Sequence, residues 1–157
     1  MSKTKTSNST NKGLILAVVT LIVGLLGFCL LTLSGLHLES VVLGSVDYSL
    51  LACIFGNGSA LLPGVNAGLL TGFIFGVVGI LLSAGALKVR GLSYLAFACY
   101  VASSTLFLCI FLFVNPFSNL GNTYTYGVGS IIMAISQLGA CVLSIVTPIV
   151  SSIENKQ

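Results

Sequence analysis

The feature that most limits what this chain can become is the spacing of its charges. Lys12 is followed by 24 uncharged residues, Asp47 by 40 and Arg90 by 63. A helix that crosses the hydrocarbon core of a bilayer needs about 20 apolar residues, each rising about 1.5 Å. The first gap holds one such helix. The second holds one and a remainder, and the third holds two with a connector. Of the 157 residues, 56% are hydrophobic and 6% charged, where a soluble domain carries about 25% charged. So few charges cannot clothe a water-facing surface, and lipid is the solvent this composition suits.

The expected fold is an all-α membrane protein: a four-transmembrane-helix bundle with a small extracellular β-ribbon between helices 1 and 2. The transmembrane domain occupies 13–150, with spans at about 13–35, 66–87, 91–114 and 126–150. The outside segments are 36–65 and 115–125, and the tails are 1–12 and 151–157. Lysines precede the first apolar segment, as in a signal peptide. Its core is longer than the roughly 7–15 residues of such a signal and no small-residue cleavage site follows, so it reads as retained. Pro116 should stop the third helix and Pro148 loosen the last turn of the fourth.

All six basic residues fall in the N-terminal tail, the 88–90 turn and the C-terminal tail. Four spans put these on one side, and the positive-inside rule makes that side cytoplasmic. Both termini are then inside, and the plasma membrane is the expected location. A fifth span through Tyr48 to Val65 is the rival. It would separate Lys88 and Arg90 from the N-terminal lysines, and "GNG" and Pro63 interrupt it; a re-entrant or interfacial segment is the remaining alternative.

The outside segment "LHLESVVLGSVDYS" alternates from Gly44 to Leu50, with Ser45, Asp47 and Ser49 on one side and Val46, Tyr48 and Leu50 on the other. Period two with β-branched and aromatic members predicts a strand. Val41–Leu43 and Leu50–Phe55 would extend it or pair with it, and "GNGSALLPG" reads as a turn back to the membrane. Val46, Tyr48, Leu50 and Phe55 are the expected extracellular contact residues.

Within lipid, helices associate where small residues let backbones approach. Gly68, Gly72, Gly76, Gly79, Ser83 and Ala86 keep to one helical face. This stripe serves either packing within the chain, the favoured reading, or a contact between copies. Weaker stripes are Ala98, Ala102, Thr105 and Cys109 in the third span, and Ser136, Ala140 and Ser144 in the fourth. Gln137 is the strongly polar side chain deepest in a span. It needs a partner across helices, or it lines a path for solute. Ion and proton pathways usually carry buried charge, and the spans hold none.

Specific chemistry finds little footing. His37, Glu39 and Asp47 lack the ligand spacing of a metal site, and no Ser-His-acid, G-x-S-x-G or H-E-x-x-H pattern occurs. No cofactor, metal or catalysis is expected. A net charge of +3, scattered, does not suit nucleic acid. Asn57 begins an "NGS" glycosylation sequon. Cys29, Cys99, Cys109 and Cys141 lie in spans and Cys53 outside; a bridge from Cys53 to Cys29 or Cys109 is not favoured, because buried cysteine usually behaves as a small hydrophobe.

The layout resembles the claudin-like tetraspans, which include the peripheral-myelin-protein branch and a fungal branch. "GILLSAGALKVRG" is similar to the end of a claudin second span. "FVNPFSNLGNTYTYGVGS" is similar to the loop and aromatic-glycine start of the fourth. The resemblance implies cytoplasmic termini, a β-structured first outside segment, and a role in adhesion or membrane organisation. The tryptophan and paired cysteines of the claudin first outside segment are missing: the chain has no tryptophan, and 36–65 holds Cys53 alone. The expected function is therefore a non-enzymatic tetraspan acting by lateral and extracellular contacts, in self-assembly, adhesion or as an accessory subunit. Its partners are the lipid bilayer, other membrane proteins or itself. The alternative is a small oligomeric channel or transporter for a neutral solute.

Overall fold

The computed structural model describes residues 12–40, 44–58, 62, 64–114 and 123–154. The elements run α1 (Lys12–Cys29), β1 (Ser34–Ser40), β2 (Gly44–Ser49), α2 (Leu50–Phe55), α3 (Ala67–Ala86), α4 (Leu92–Leu108), α5 (Ile110–Val114), β3 (Thr123–Tyr126) and α6 (Val128–Glu154). Among the described residues, three helices are long and apolar enough to cross a membrane: α1, α3 and Val128–Ile153 of α6. The shorter α4 is apolar too, and α5 prolongs it after a break at Cys109. The tails 1–11 and 155–157, Val41–Leu43, Pro63 and the 115–122 connector with Pro116 lie outside the described residues.

The helices α1, α6, α4 and α3 pack in that order around a ring that α3 closes against α1. Gly13 abuts Ser151 and Gly27 abuts Ser136, so α1 and α6 run antiparallel. Gly72 abuts Leu106 and Gly79 abuts Tyr100, so α3 and α4 form an antiparallel hairpin. One end of the helices therefore gathers Lys12, Lys88 and Arg90, and the other carries the sheet.

The sheet has three antiparallel strands in the order β2-β1-β3. The expected ribbon is present over Gly44–Ser49, but its partner is Ser34–Ser40, which the sequence reading assigned to the first span and the start of the loop. The expected continuation of helix 1 to residue 35 gives way because Gly35 is claimed by tertiary contacts. Its carbonyl accepts from Gly127 N at 3.1 Å and from the Ser130 hydroxyl at 2.5 Å. A Cβ on Gly35 would lie 2.6 Å from the Leu50 Cα, so the close approach requires glycine. The third strand, "TYTY", joins the end of the second outside segment to Tyr126, the expected start of the fourth span, and no strand was expected at either.

Leu50–Phe55 is a helix rather than a strand. Ser49 caps it, its hydroxyl accepting from Ala52 N at 3.2 Å. Gly56, at φ 79°, ends it in a conformation only glycine adopts freely. Six residues cannot cross a bilayer, and Leu50, Cys53 and Ile54 turn inward beneath the sheet. Asn66 caps α3 through Leu69 N and also donates its Nδ2 to the Phe113 carbonyl at 2.9 Å, tying α3 to α5. The α4–α5 break is stabilised by Tyr126, whose hydroxyl donates to the Leu108 carbonyl at 2.6 Å.

Leu36, Leu50, Ile54, Leu69, Phe107 and Met133 form the largest core cluster, between the sheet and the helices. Toward the opposite end the core thins to Ala96, Tyr100, Ala140 and Cys141. Here backbones approach one another through small residues. The inward face of α4 is Ser93, Ala96, Tyr100, Ser103, Ser104 and Phe107. The expected stripe at Ala98, Ala102, Thr105 and Cys109 is therefore displaced: Ala98 and Thr105 are exposed. Tyr100 and Phe107 win the interior because the glycines of α3 leave room for rings opposite them.

Candidate functional site

Strand register decides what the sheet end of the molecule presents. His37 pairs with Asp47 and Thr125, and Glu39 with Ser45 and Thr123. Leu36 pairs with Tyr48 and Tyr126, and Leu38 with Val46 and Tyr124. Because side chains alternate across a strand, the leucine and tyrosine set forms one face and the His37, Asp47, Glu39 and threonine set the other. Leu36 and Leu38 are buried, so the apolar face lies against the helices. The polar face is the one turned outward.

The expected contact residues are therefore corrected in part. Leu50 is fully buried and belongs to the core. Tyr48 is half-buried against the same core, and Val46 is half-exposed on the same inward face. Phe55 is exposed, with its ring edge-on to Phe73 at 5.8 Å. Asn57 is exposed in the turn after α2, its N–H donating to Leu62 O at 3.0 Å.

The polar face is organised around His37. Its Nδ1–H donates to Asp47 Oδ1 at 2.8 Å, and Nε2 lies 3.8 Å from Glu39 Oε1. The Ser34 hydroxyl donates to the same Asp47 oxygen at 3.2 Å. The hydrogen bond to Asp47 raises the His37 pKa above its ordinary 6.5, and the same bond lowers that of Asp47 below 3.8. No group of three metal-ligating side chains exists among the described residues. The five cysteines are all free. Burial pushes the Cys53 thiol up to about 12, which leaves it an inert hydrophobe.

The glycine stripe of α3 is consumed within the chain. A Cβ on Gly68 would meet the Phe113 ring, on Gly72 Leu106, on Gly76 Phe28 and Ser103, and on Gly79 Tyr100. Ser83 bonds the Tyr100 hydroxyl at 3.0 Å. A second stripe escaped the sequence reading: Gly13, Ala17, Thr20, Gly24 and Gly27 of α1 are all buried. Their 4-3-4-3 spacing was legible in the sequence.

Gln137 is fully buried, and its Nε2 donates to the Gly24 carbonyl at 3.1 Å across helices. Its Oε1 has no partner among the described residues, nor has the Ser103 hydroxyl. Ser130, Gln137, Ser144 and Ser151 recur every seven residues along α6, and all four are buried. Elsewhere on the helix, Ile131, Ile135, Leu138, Val142, Ile149 and Ile153 are exposed. Helix α6 thus turns its polar stripe inward and its large apolar side chains outward.

These features define a helical protein with three helices able to cross a membrane and a three-stranded cap. No known family model matches the chain, and no curated protein sequence matches it.

Proposed function

We propose that this protein is a non-enzymatic integral membrane tetraspan that works through contacts. Helices α1, α3, α4 with α5, and α6 cross the bilayer, both termini lie in the cytoplasm, and the sheet lies outside. The carrying observation is the reversed polarity of α6. In water, exposing its isoleucines while burying Ser130, Gln137 and Ser144 would lose on both counts. In hydrocarbon the same arrangement is favourable, because apolar side chains face lipid and polar ones find interhelical partners. The gathering of Lys12, Lys88 and Arg90 at the end away from the sheet supports the orientation.

The contact role rests on what remains exposed. The small-residue stripes of α1 and α3 serve the chain's own fold, so partners meet the polar outer face of the sheet (Glu39, His37, Asp47, Thr125) or the lipid-facing helices. A claudin-like architecture belongs to this proposal and is supported by the cap between the first two long helices. Conduction through one chain is disfavoured, since the Tyr100 ring and Gln137 both close on Gly24.

Two measurements test this. In a cysteine-free background, Ser45→Cys should react with an impermeant maleimide on intact cells. Lys5→Cys and Lys88→Cys should react only after permeabilisation; labelling of Lys5→Cys and Lys88→Cys from opposite sides overturns the topology. Crosslinking in native membranes through Glu39 or Asp47 should capture a defined protein. Flux of a neutral solute through liposomes holding the purified chain, with no crosslinked partner, would replace contact by transport.

A further inference from the structure

A three-stranded sheet has two edges, and here they are β2 and β3. The register shows which backbone groups of β2 face its open side. Gly127 N donates to the Gly35 carbonyl at 3.1 Å, which continues the Leu36–Tyr126 register by one step. Backbone groups alternate sides along a strand. Gly35, His37 and Glu39 therefore bond toward β3, while Leu36, Leu38 and Ser40 bond toward β2. The β2 partners of that second set are Tyr48, Val46 and Gly44. The N–H and C=O groups of Ser45 and Asp47 thus point away from β1, and among the described residues no strand lies there to receive them. The 2.8 Å contact of His37 with Asp47 agrees, because side chains come closest in pairs that do not exchange backbone bonds.

Native edge strands are blunted by lysine, proline, a bulge or extreme shortness. Strand β2 has six residues with no lysine or proline, and its register is unbroken from Gly44 to Tyr48. Ser45 and Asp47 are exposed, and Val46, paired with the fully buried Leu38, is left half-exposed at the margin of the apolar face. An unguarded edge of this kind receives another extended strand.

The β2 sequence is itself a suitable partner. Two antiparallel copies that keep their apolar faces on one side overlap best when centred on Asp47 or on Val46. Centring on Asp47 sets two carboxylates directly opposite each other, which is repulsive. Centring on Val46 joins the two valines and sets each Ser45 hydroxyl opposite the Asp47 carboxylate of the second copy. It also sets each Tyr48 opposite Gly44, where a Cβ would meet nothing within 4 Å and a ring has room.

We infer that this protein forms a two-fold dimer through its β2 edges, with Val46 opposite Val46 of the second copy. The inference deepens the contact reading above and rests on it for the placement in a membrane. The two-fold axis that relates antiparallel edge strands is normal to the sheet. Because the apolar face of the sheet lies on the helix ends, that axis runs along the helices, and both copies keep one orientation in one bilayer. The pairing adds about four backbone hydrogen bonds. So small a contact gains from lipid, which already restricts the rotational freedom that association costs.

The test uses the full chain in liposomes. Val46→Cys, oxidised with copper–phenanthroline, should give a covalent dimer, since opposed residues that exchange no backbone bonds lie within disulfide reach. The parent chain, with its five free cysteines, sets the background. Thr123→Cys, on the opposite edge, should not exceed it. Dimer affinity is read as energy transfer between labelled copies over a range of protein-to-lipid ratios. It should fall about tenfold for Ser45→Asp and rise for Ser45→Lys, because both symmetric contacts with Asp47 take on the sign of the new charge. No Val46→Cys dimer above background, an equal yield from Thr123→Cys, or an affinity indifferent to the charge at residue 45 overturns the inference. So does crosslinking of Val46→Cys in native membranes to a different protein in place of a second copy. Maleimide labelling of Ser45→Cys reports topology separately. External labelling without a Val46→Cys dimer sinks the dimer alone, whereas labelling only after permeabilisation sinks the membrane reading.

Discussion

Gly79→Ala tests the claim that the α3–α4 contact is set by one ring against one glycine. A Cβ at residue 79 would lie 2.8 Å from Tyr100 Cε1 and 2.9 Å from Cδ1, where ordinary contact begins at 3.4 Å. Ring or helix must therefore retreat by about half an ångström, as the size of that shortfall requires. The ring is poorly placed to do so, being fully buried with its hydroxyl bonded to Ser83. Overpacking of this kind costs about 1–3 kcal/mol, and the better helix propensity of alanine returns about 1 kcal/mol. The variant should be destabilised by about 1 kcal/mol net from these two effects. Gly72→Ala should cost less, because its nearest neighbour, Leu106 Cβ, is at 3.0 Å and the next atoms lie at 3.6 Å. The assay is equilibrium unfolding in mixed micelles, followed by circular dichroism. The decisive arm is a double-mutant cycle with Tyr100→Leu, which removes the ring. In that background Gly79→Ala should stabilise, giving a coupling of about 1–2 kcal/mol. Additivity within about 0.5 kcal/mol would refute the reasoning, as would a Gly79→Ala protein more stable than the parent.

Gln137→Leu loses one interhelical bond but also removes the unpartnered Oε1, so unfolding in the same micelles should shift by less than about 1 kcal/mol; a loss above about 2 kcal/mol would mean that the amide oxygen is satisfied in the folded protein. His37, the chain's single histidine, gives a unique imidazole resonance whose NMR titration should lie above 6.5 and move back toward it in Asp47→Asn. With a raised folded pKa, the His37 contribution to stability is present in full below pH 6.5 and is lost as pH rises through the folded value. The Asp47 contribution is present above pH 3.8 and is lost as pH falls through its lowered value. The pair should thus hold β1 to β2 best between those limits, and a sheet whose amide exchange is unchanged from pH 5 to pH 8 after correction for intrinsic rates would contradict this.

Much of the architecture was legible because lipid imposes simple rules. Charge spacing located the long apolar helices, and the four-three spacing of small residues located the buried face of α3. What the sequence hid was tertiary. Nothing local says that residues 34–40 leave the helical segment, since "LSGLHLE" becomes a strand only when Gly35 meets Leu50, Gly127 and Ser130. "TYTY" is four residues long and finds its place only along β1. The period-two pattern of β2 was read correctly, but its apolar face was assigned to partners. A strand pair with Leu36 and Leu38 on one side must bury that side against the helices. The displaced stripe of α4 has the same origin. Composition favoured the alanines for the interior, but two glycine-lined neighbours made room for Tyr100 and Phe107, and aromatic rings bury far more surface than alanine.

The same logic explains why the candidate contact surface is polar. A chain that spends its small residues on internal contacts and faces lipid with isoleucine, leucine and valine has few places left for specific recognition. The sheet collects a histidine, two carboxylates and two threonines within three strands, and the opposite end of the helices collects Lys88 and Arg90 around a hydroxyl-lined cavity. On the proposed contact reading, recognition falls to the two ends, because the apolar flanks offer no polar groups to orient a partner. Substitutions along the lipid-facing isoleucines of α6 should accordingly be tolerated by function, while single changes at His37 or Arg90 should not.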